Sequence, residues 1–196
     1  FIKRSGAAYE FSLILDADSL MEGETLVEMV RRMQAVPDLG LLQTLPVITR
    51  AQSRFGRAMQ FAGTFYSPIF ARGLAMMQGR TGPFWGHNAL VRIQPFLEHC
   101  DLPSIGGRPI LSHDQLEAAL MRAAGYEVRV LPVEAGSYEE NPTEMVEFSN
   151  RDLRWCQGNM QYWRLVGLPR LLPVSRFQLA WAISMFVGLP ASQLLL

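Results

Sequence analysis

An apolar run, Phe11-Ser12-Leu13-Ile14-Leu15, ends in a carboxylate pair, Asp16-Ala17-Asp18. A strand that releases D-x-D at its carboxyl end puts two anions at the edge where open α/β sheets bind ligands. Two such anions repel each other, and a hard divalent cation shared with a substrate diphosphate would reconcile them. A polar turn after a strand has the same sequence, and the pair alone does not separate the two.

Three further segments carry residues suited to chemistry: Pro83-Phe84-Trp85-Gly86-His87-Asn88, Ser112-His113-Asp114 and Arg151-Asp152-Leu153-Arg154-Trp155. The elements that must hold them can be read from periodicity. Tyr9–Leu15 reads as a buried strand, Glu24–Val36 as a helix stopping before Pro37, and Gly40–Thr44 as a second strand. Arg54–Met77 reads as one or two helices interrupted near Pro68, Gly82–Gly86 as a turn and Asn88–Arg92 as a short strand. Gln94–His99 is a helical turn leading into a loop over Pro103–Pro109. Ser112 and Gln115 have the spacing of a capping box for a helix ending near Ala124, with Gly125 as its C′ glycine, before a strand over Glu127–Val133. Two cycles of strand, helix and strand predict an α/β domain with a largely parallel sheet.

Composition narrows the class. The 196 residues balance 18 basic against 18 acidic side chains, which gives no general surface for nucleic acid. Cys100 and Cys156 stand far apart without a C-x-x-C, so neither a disulfide framework nor a zinc site is indicated. Residues 177–196 are uncharged over about the length of a bilayer span, and Arg164, Arg170 and Arg176 flank them on the side the positive-inside rule makes cytoplasmic. A buried helix is the alternative. The expected organisation is a domain over residues 1–160 that lacks its N-terminal part, an amphipathic membrane-interface segment over 161–176, and the start of a transmembrane region over 177–196.

The order of these motifs resembles the second half of a processive, inverting glycosyltransferase of the cellulose-synthase-like superfamily, with its D-x-D, its T-E-D-type aspartate and its Q-x-x-R-W box. The third motif reads Ser112-His113-Asp114 and the fourth begins at Arg151 in place of Gln. With Gly136-Ser137-Tyr138-Glu139-Glu140 and Arg154-Trp155-Cys156-Gln157-Gly158-Asn159, these departures resemble the glucans biosynthesis glucosyltransferase H family. The resemblance covers nearly the whole chain. It implies a glycosyltransferase A-type nucleotide-diphospho-sugar fold, UDP-glucose as donor, a growing glucan as acceptor and a β-1,2-linked periplasmic product. It also implies a multi-pass protein of the bacterial inner membrane, with the catalytic domain cytoplasmic, a lipid bilayer around its spans and a periplasmic glucan-processing partner.

The residues fit that chemistry on their own terms. Asp18, with Asp16 beside it, would hold Mg²⁺ or Mn²⁺ against a diphosphate whose charge must be neutralised before it leaves. Asp114 suits a general base for an acceptor hydroxyl, ionised by its place in the first helical turn, though a first-turn Asp also stabilises the helix dipole. Arg154 can pair with a phosphate oxygen bidentately, Arg151 could add a second contact, and Trp155 offers a face for a sugar ring. An exposed Arg beside a core Trp reads the same. Phe84, Trp85 and His87 resemble the family's acceptor-side loop, or form a structural turn. Gln43-Thr44 is a further donor-side candidate, His113 reads as a satisfied polar side chain, and Glu139 and Glu140 as a solvated loop or a gate. The enzyme rival is a cellulose, chitin or hyaluronan synthase, which Thr-Glu-Asp and Gln-x-x-Arg-Trp would favour. A haloacid-dehalogenase-type phosphatase would need a catalytic Lys, and Lys3 stands upstream of the pair. A non-catalytic membrane UDP-sugar sensor is the third class, against which the intact Asp16, Asp18, Asp114 and Arg154 argue.

Overall fold

The computed structural model describes residues 2–133 and 135–194, apart from the side chains of residues 2, 3, 7 and 189–194. A short helix, α1 (Ile2–Ser5), and a 3-10 turn lead into β1 (Phe11–Ile14). Then come β2 (Leu20–Met21), α2 (Gly23–Ala35), β3 (Leu39–Gln43), β4 (Val47–Ile48) and α3 (Arg54–Gln78). The second half holds β5 (Ala89–Arg92), α4 (Ile93–His99), α5 (Asp114–Ala123), β6 (Glu127–Val130), β7 (Ser137–Glu139), α6 (Met145–Gln161) and α7 (Pro173–Leu194).

The main sheet has the order β1-β5-β3-β6, and it is mixed where a largely parallel one was expected. β5 runs antiparallel to both β1 and β3, and only β3 and β6 pair in parallel. The reason lies in the connection: α3 and an irregular stretch return the chain to the edge it left, so β5 enters from the opposite direction. That reversal sets up the site. The N-terminal end of β5 lies at the carboxyl ends of β1 and β3, with Ala89 opposite both Ile14 and Gln43. β1, expected to be buried, is a half-buried edge strand. A small second sheet, β2-β7-β4, lies beside this edge and was not expected from sequence, since two- and three-residue strands carry no readable period.

The core forms on both faces of the main sheet. Met29 and Met33 of α2 pack with Leu39, Leu42 and Leu90 on one face. Leu41, Val91 and Val128 pack on the other with Leu116, Leu120, Tyr162, Leu171 and Leu179. α3 is one uninterrupted helix, started by Ser53, whose Oγ accepts from Gly56 N at 2.8 Å. Pro68 removes one helical hydrogen bond, and the carbonyl it frees belongs to the exposed Thr64, so the helix is not broken there.

The expected capping box does not form. α5 begins at Asp114 with His113 at the N-cap position and no side-chain cap. Ser112 instead lies against α6. Gly125 does take the left-handed backbone expected of a C′ residue, at φ 93°. Residues 162–172 make a 3-10 turn and a bend packed into the core through Tyr162, Leu165 and Leu171, not a free amphipathic stretch. α7 also packs on the domain, burying Leu179 and Ile183, and among the described residues no helix is long and apolar enough to cross a membrane. Residues 195 and 196 of the expected span lie outside the described residues.

Candidate active site

The D-x-D residues leave β1 in a turn closed by Ser19 N on Asp16 O at 3.1 Å and by Asp16 N on Ser19 Oγ at 3.0 Å. Both carboxylates are exposed at the sheet edge. Opposite them, the loop before β5 is held by a buried polar network. Gln43, wholly buried, donates from Nε2 to His87 O at 2.9 Å, and its Oε1 accepts from Trp85 N at 3.0 Å. Thr44 Oγ1 donates to Asn88 O at 2.7 Å, and Asn88 Nδ2 to Ser137 Oγ at 2.8 Å. Gln43 and Thr44 are therefore struts that aim the Trp85–His87 loop, not donor ligands as considered from sequence. Gln43 and Thr44 bond loop backbone that would otherwise wander, and Asn88 ties the loop to the Ser137 side chain.

α6 supplies the third wall. Arg151, Arg154, Trp155 and Gly158 fall at i, i+3, i+4 and i+7, which puts them on one helix face. Gly158 lets that face close on the turn before α5, because a Cβ there would stand 2.8 Å from Ser112 N. Tyr162 OH donates to Ser112 O at 2.7 Å, and Gln161 Oε1 accepts from Leu111 N at 2.8 Å. The turn carrying Asp114 is thus fixed from behind. Gly86, at φ 90°, borders it from the front, where a Cβ would lie in ordinary contact 3.5 Å from Asp114 Cβ.

These elements enclose a cavity of about 350 Å³. It brings together Asp16, Asp18, Asp114, Arg151, Arg154, Trp155, Trp85 and His87, all singled out from sequence. Phe84 is not among them: it is 1% exposed and belongs to the core, because successive residues of the extended loop point to opposite sides. Trp155 is 43% exposed, so it is not a core Trp, and one of its faces lies under the Arg151 guanidinium at 4.6 Å. Arg151 Nη1 donates to Asn141 Oδ1 at 3.0 Å, while its buried Nε has no hydrogen-bond partner.

Burial raises the Asp114 carboxyl above its ordinary value, and the backbone N–H of Gln115 and the charge of His113 only partly offset this. The helix terminus does not dominate, as the sequence suggested it would. His113 is paired with Glu117 at 3.1 Å and is pushed up by that hydrogen bond, in keeping with a satisfied side chain. Burial pushes the Cys100 thiol up to about 12, so it stays protonated, and both cysteines are free.

Of the two readings the sequence left for Glu139, a solvated loop or a gate near the site, the structure gives a wall of the cavity. It stands on β7 with its carboxyl raised by burial, partly offset by His87 and reinforced by the charge of Asp18. The sequence signal was its place in the run Gly136-Ser137-Tyr138-Glu139-Glu140.

The donor set suits a hard cation. Among the described residues no group of three or more His, Cys, Asp or Glu is placed to hold a metal, and a cation at the D-x-D would have the Asp16 and Asp18 oxygens as its protein ligands. Magnesium commonly binds by one or two carboxylates plus phosphates.

Residues 12–196 match glycosyl transferase family group 2. The chain belongs to that family. The glucans biosynthesis glucosyltransferase H of Cereibacter sphaeroides is 57% identical over 96% of the chain. Proteins of the same name from Rhodopseudomonas palustris and Xanthomonas campestris pv. campestris are 45% and 44% identical over 97% of it. The chain spans 32%, 27% and 30% of the lengths of these relatives.

Proposed function

We propose that this chain is part of a glucosyltransferase that moves glucose from UDP-glucose to a growing β-glucan with inversion. The observation that carries the reading is one cavity gathering paired carboxylates, a raised carboxyl and two guanidiniums from three separate segments. A diphosphate needs the cations, a metal needs the hard anions, and an acceptor hydroxyl needs the base. The specific product proposed, from the sequence resemblance, is the β-1,2 backbone of periplasmic glucans.

Asp114 takes the proton of the acceptor hydroxyl as that oxygen attacks the anomeric carbon, in one displacement without a covalent intermediate. Asp18 and Asp16 would hold Mg²⁺ or Mn²⁺, which would supply the positive charge that lets UDP leave. Arg154 and Arg151, whose guanidiniums line the cavity, bind the diphosphate oxygens. Trp155 and Trp85 pack against the sugar, and His87 borders the acceptor side. A bacterial inner membrane is the proposed setting, with this domain cytoplasmic. The support is the uncharged run of α7 after Arg176, which exposes Phe177, Trp181 and Met185 beyond the cationic Arg164, Arg170 and Arg176.

Asp18→Ala tests the core of this reading. Titration of the full-length enzyme with UDP and Mn²⁺ is expected to show metal-dependent binding lost in the variant, and labelled UDP-glucose should yield glucan only from the wild type. Metal-dependent UDP affinity unchanged in Asp18→Ala would remove the metal role.

A further inference from the structure

The cavity just described opens into a second one of about 430 Å³. The two differ in lining. Asp16, Asp18, Arg151 and Arg154 face only the first, whereas Pro46, Ile48 and Phe70 face only the second. Charged groups for a diphosphate therefore sit on one side and apolar faces for sugar rings on the other. Six residues border both: Trp85, His87, Ser112, Asp114, Glu139 and Trp155. Asp114 and Glu139 are the two carboxylates of that throat. One is accounted for as the base.

Glu139 is held firmly. Its β7 position pairs with Ile48 of β4, and its carbonyl accepts from Thr49 N at 2.9 Å. Ser137, two residues before it, is fully buried and hydrogen-bonded to Asn88 and Thr44 at 2.8 Å. The Glu139 carboxylate meets His87 Nδ1 at 3.5 Å. A carboxylate can accept about four hydrogen bonds, so that single long contact leaves most of its capacity for a ligand. A metal is the wrong ligand to assign to it, since no third carboxylate among the described residues joins Asp16 and Asp18 in a metal-holding group. Hydroxyls on the apolar side of the throat are the donors left.

We propose that Glu139, braced by His87, accepts hydrogen bonds from the acceptor sugar and holds the ring with one hydroxyl at Asp114. This rests on the glucosyltransferase reading and adds to it an acceptor-binding residue on an element that neither the D-x-D nor the R-W motif contains. A sugar hydroxyl donating to a carboxylate is a charge-assisted bond, strong enough to position a ring and absent from the donor half of the reaction.

The test uses the full-length enzyme in membranes. Glu139→Gln keeps size and removes charge. Its KM for added glucan oligosaccharide is expected to rise about tenfold or more, as loss of a bond to a charged group should, while UDP affinity in Mn²⁺ stays within about twofold. Hydrolysis of UDP-glucose by water should persist, which a merely structural lesion would not spare. An unchanged acceptor KM, or a loss of UDP affinity matching the loss of elongation, would overturn the assignment. If Glu139→Gln does not fold, as its melting temperature will tell, Glu139→Asp decides by the same two numbers. A wild type that transfers no glucose at all from UDP-glucose would instead bring down the parent reading, so the two failures are told apart before any variant is made.

Discussion

Asp114 is where burial and a helix start oppose each other, and burial prevails. A carboxylate of raised proton affinity is a better base, provided the pH keeps it ionised. Because the base works deprotonated, transfer should fall as pH drops through its raised value. The acid limb of the rate profile is thus expected above the ordinary Asp range near about 4, and a limb at or below that range would contradict the environment described here. Asp114→Asn should leave UDP-glucose binding largely intact and slow transfer by roughly 10²-fold or more, and near-normal turnover would leave Asp114 a mere helix-start residue. At this scale the sequence was most legible. Residue types that carry charge or a ring in a recognisable order largely reached the same cavity. Phe84 did not, because an extended loop alternates its side chains and a string of letters does not say which of Phe84 and Trp85 faces in. Glu139 was left between a solvated loop and a gate, because a Glu-Glu pair after glycine cannot be placed until β2 and β4 pair with the strand that carries it.

Elements were legible where a period was long and opaque where geometry depends on what comes back to meet them. α2, β3 and the end of α5 follow their patterns closely. The direction of β5 could not be read, since it depends on α3 and on the stretch after it. That single reversal is what carries Trp85 and His87 to the edge where Asp16 lies. α6 could have been found by spacing, as Arg151, Arg154, Trp155 and Gly158 mark one face, but its close approach depends on an atom that is missing. Gly158→Ala puts a methyl against the backbone of Ser112, a contact that cannot yield by rotating a side chain. The expected cost is about 1–3 kcal/mol of stability together with a disproportionate loss of transfer as the Asp114 turn shifts, read by thermal melting beside UDP affinity and elongation. A variant with full activity would mean the turn is not set by α6.

On the scale of the molecule, α7 decides how the domain meets what surrounds it. From sequence, residues 177–196 read as a span, because composition registers apolar letters and not which of them are already used. The structure divides them by side. Leu179 and Ile183 are buried in the core, Arg122 Nε donates to Ser175 Oγ at 3.0 Å, and Gln178 Nε2 donates to Thr81 O at 2.7 Å, so the first half of the helix is bolted to the domain. Phe177, Trp181 and Met185 remain exposed on the other side. A helix with one face in a protein core and an uncharged aromatic face outward is built to lie along an apolar boundary. Two substitutions five letters or fewer apart should therefore behave as different kinds of lesion. Leu179→Ala is expected to cost about 2–5 kcal/mol and lower the melting temperature, because it empties a packed site. Trp181→Ala removes a larger side chain, yet its stability effect should stay within about 0.5 kcal/mol, while flotation with anionic lipid vesicles should show less of the protein bound. Equal melting losses for both, with lipid binding unchanged in Trp181→Ala, would mean the outward face of α7 is covered by protein and that the domain does not rest on a bilayer through this helix.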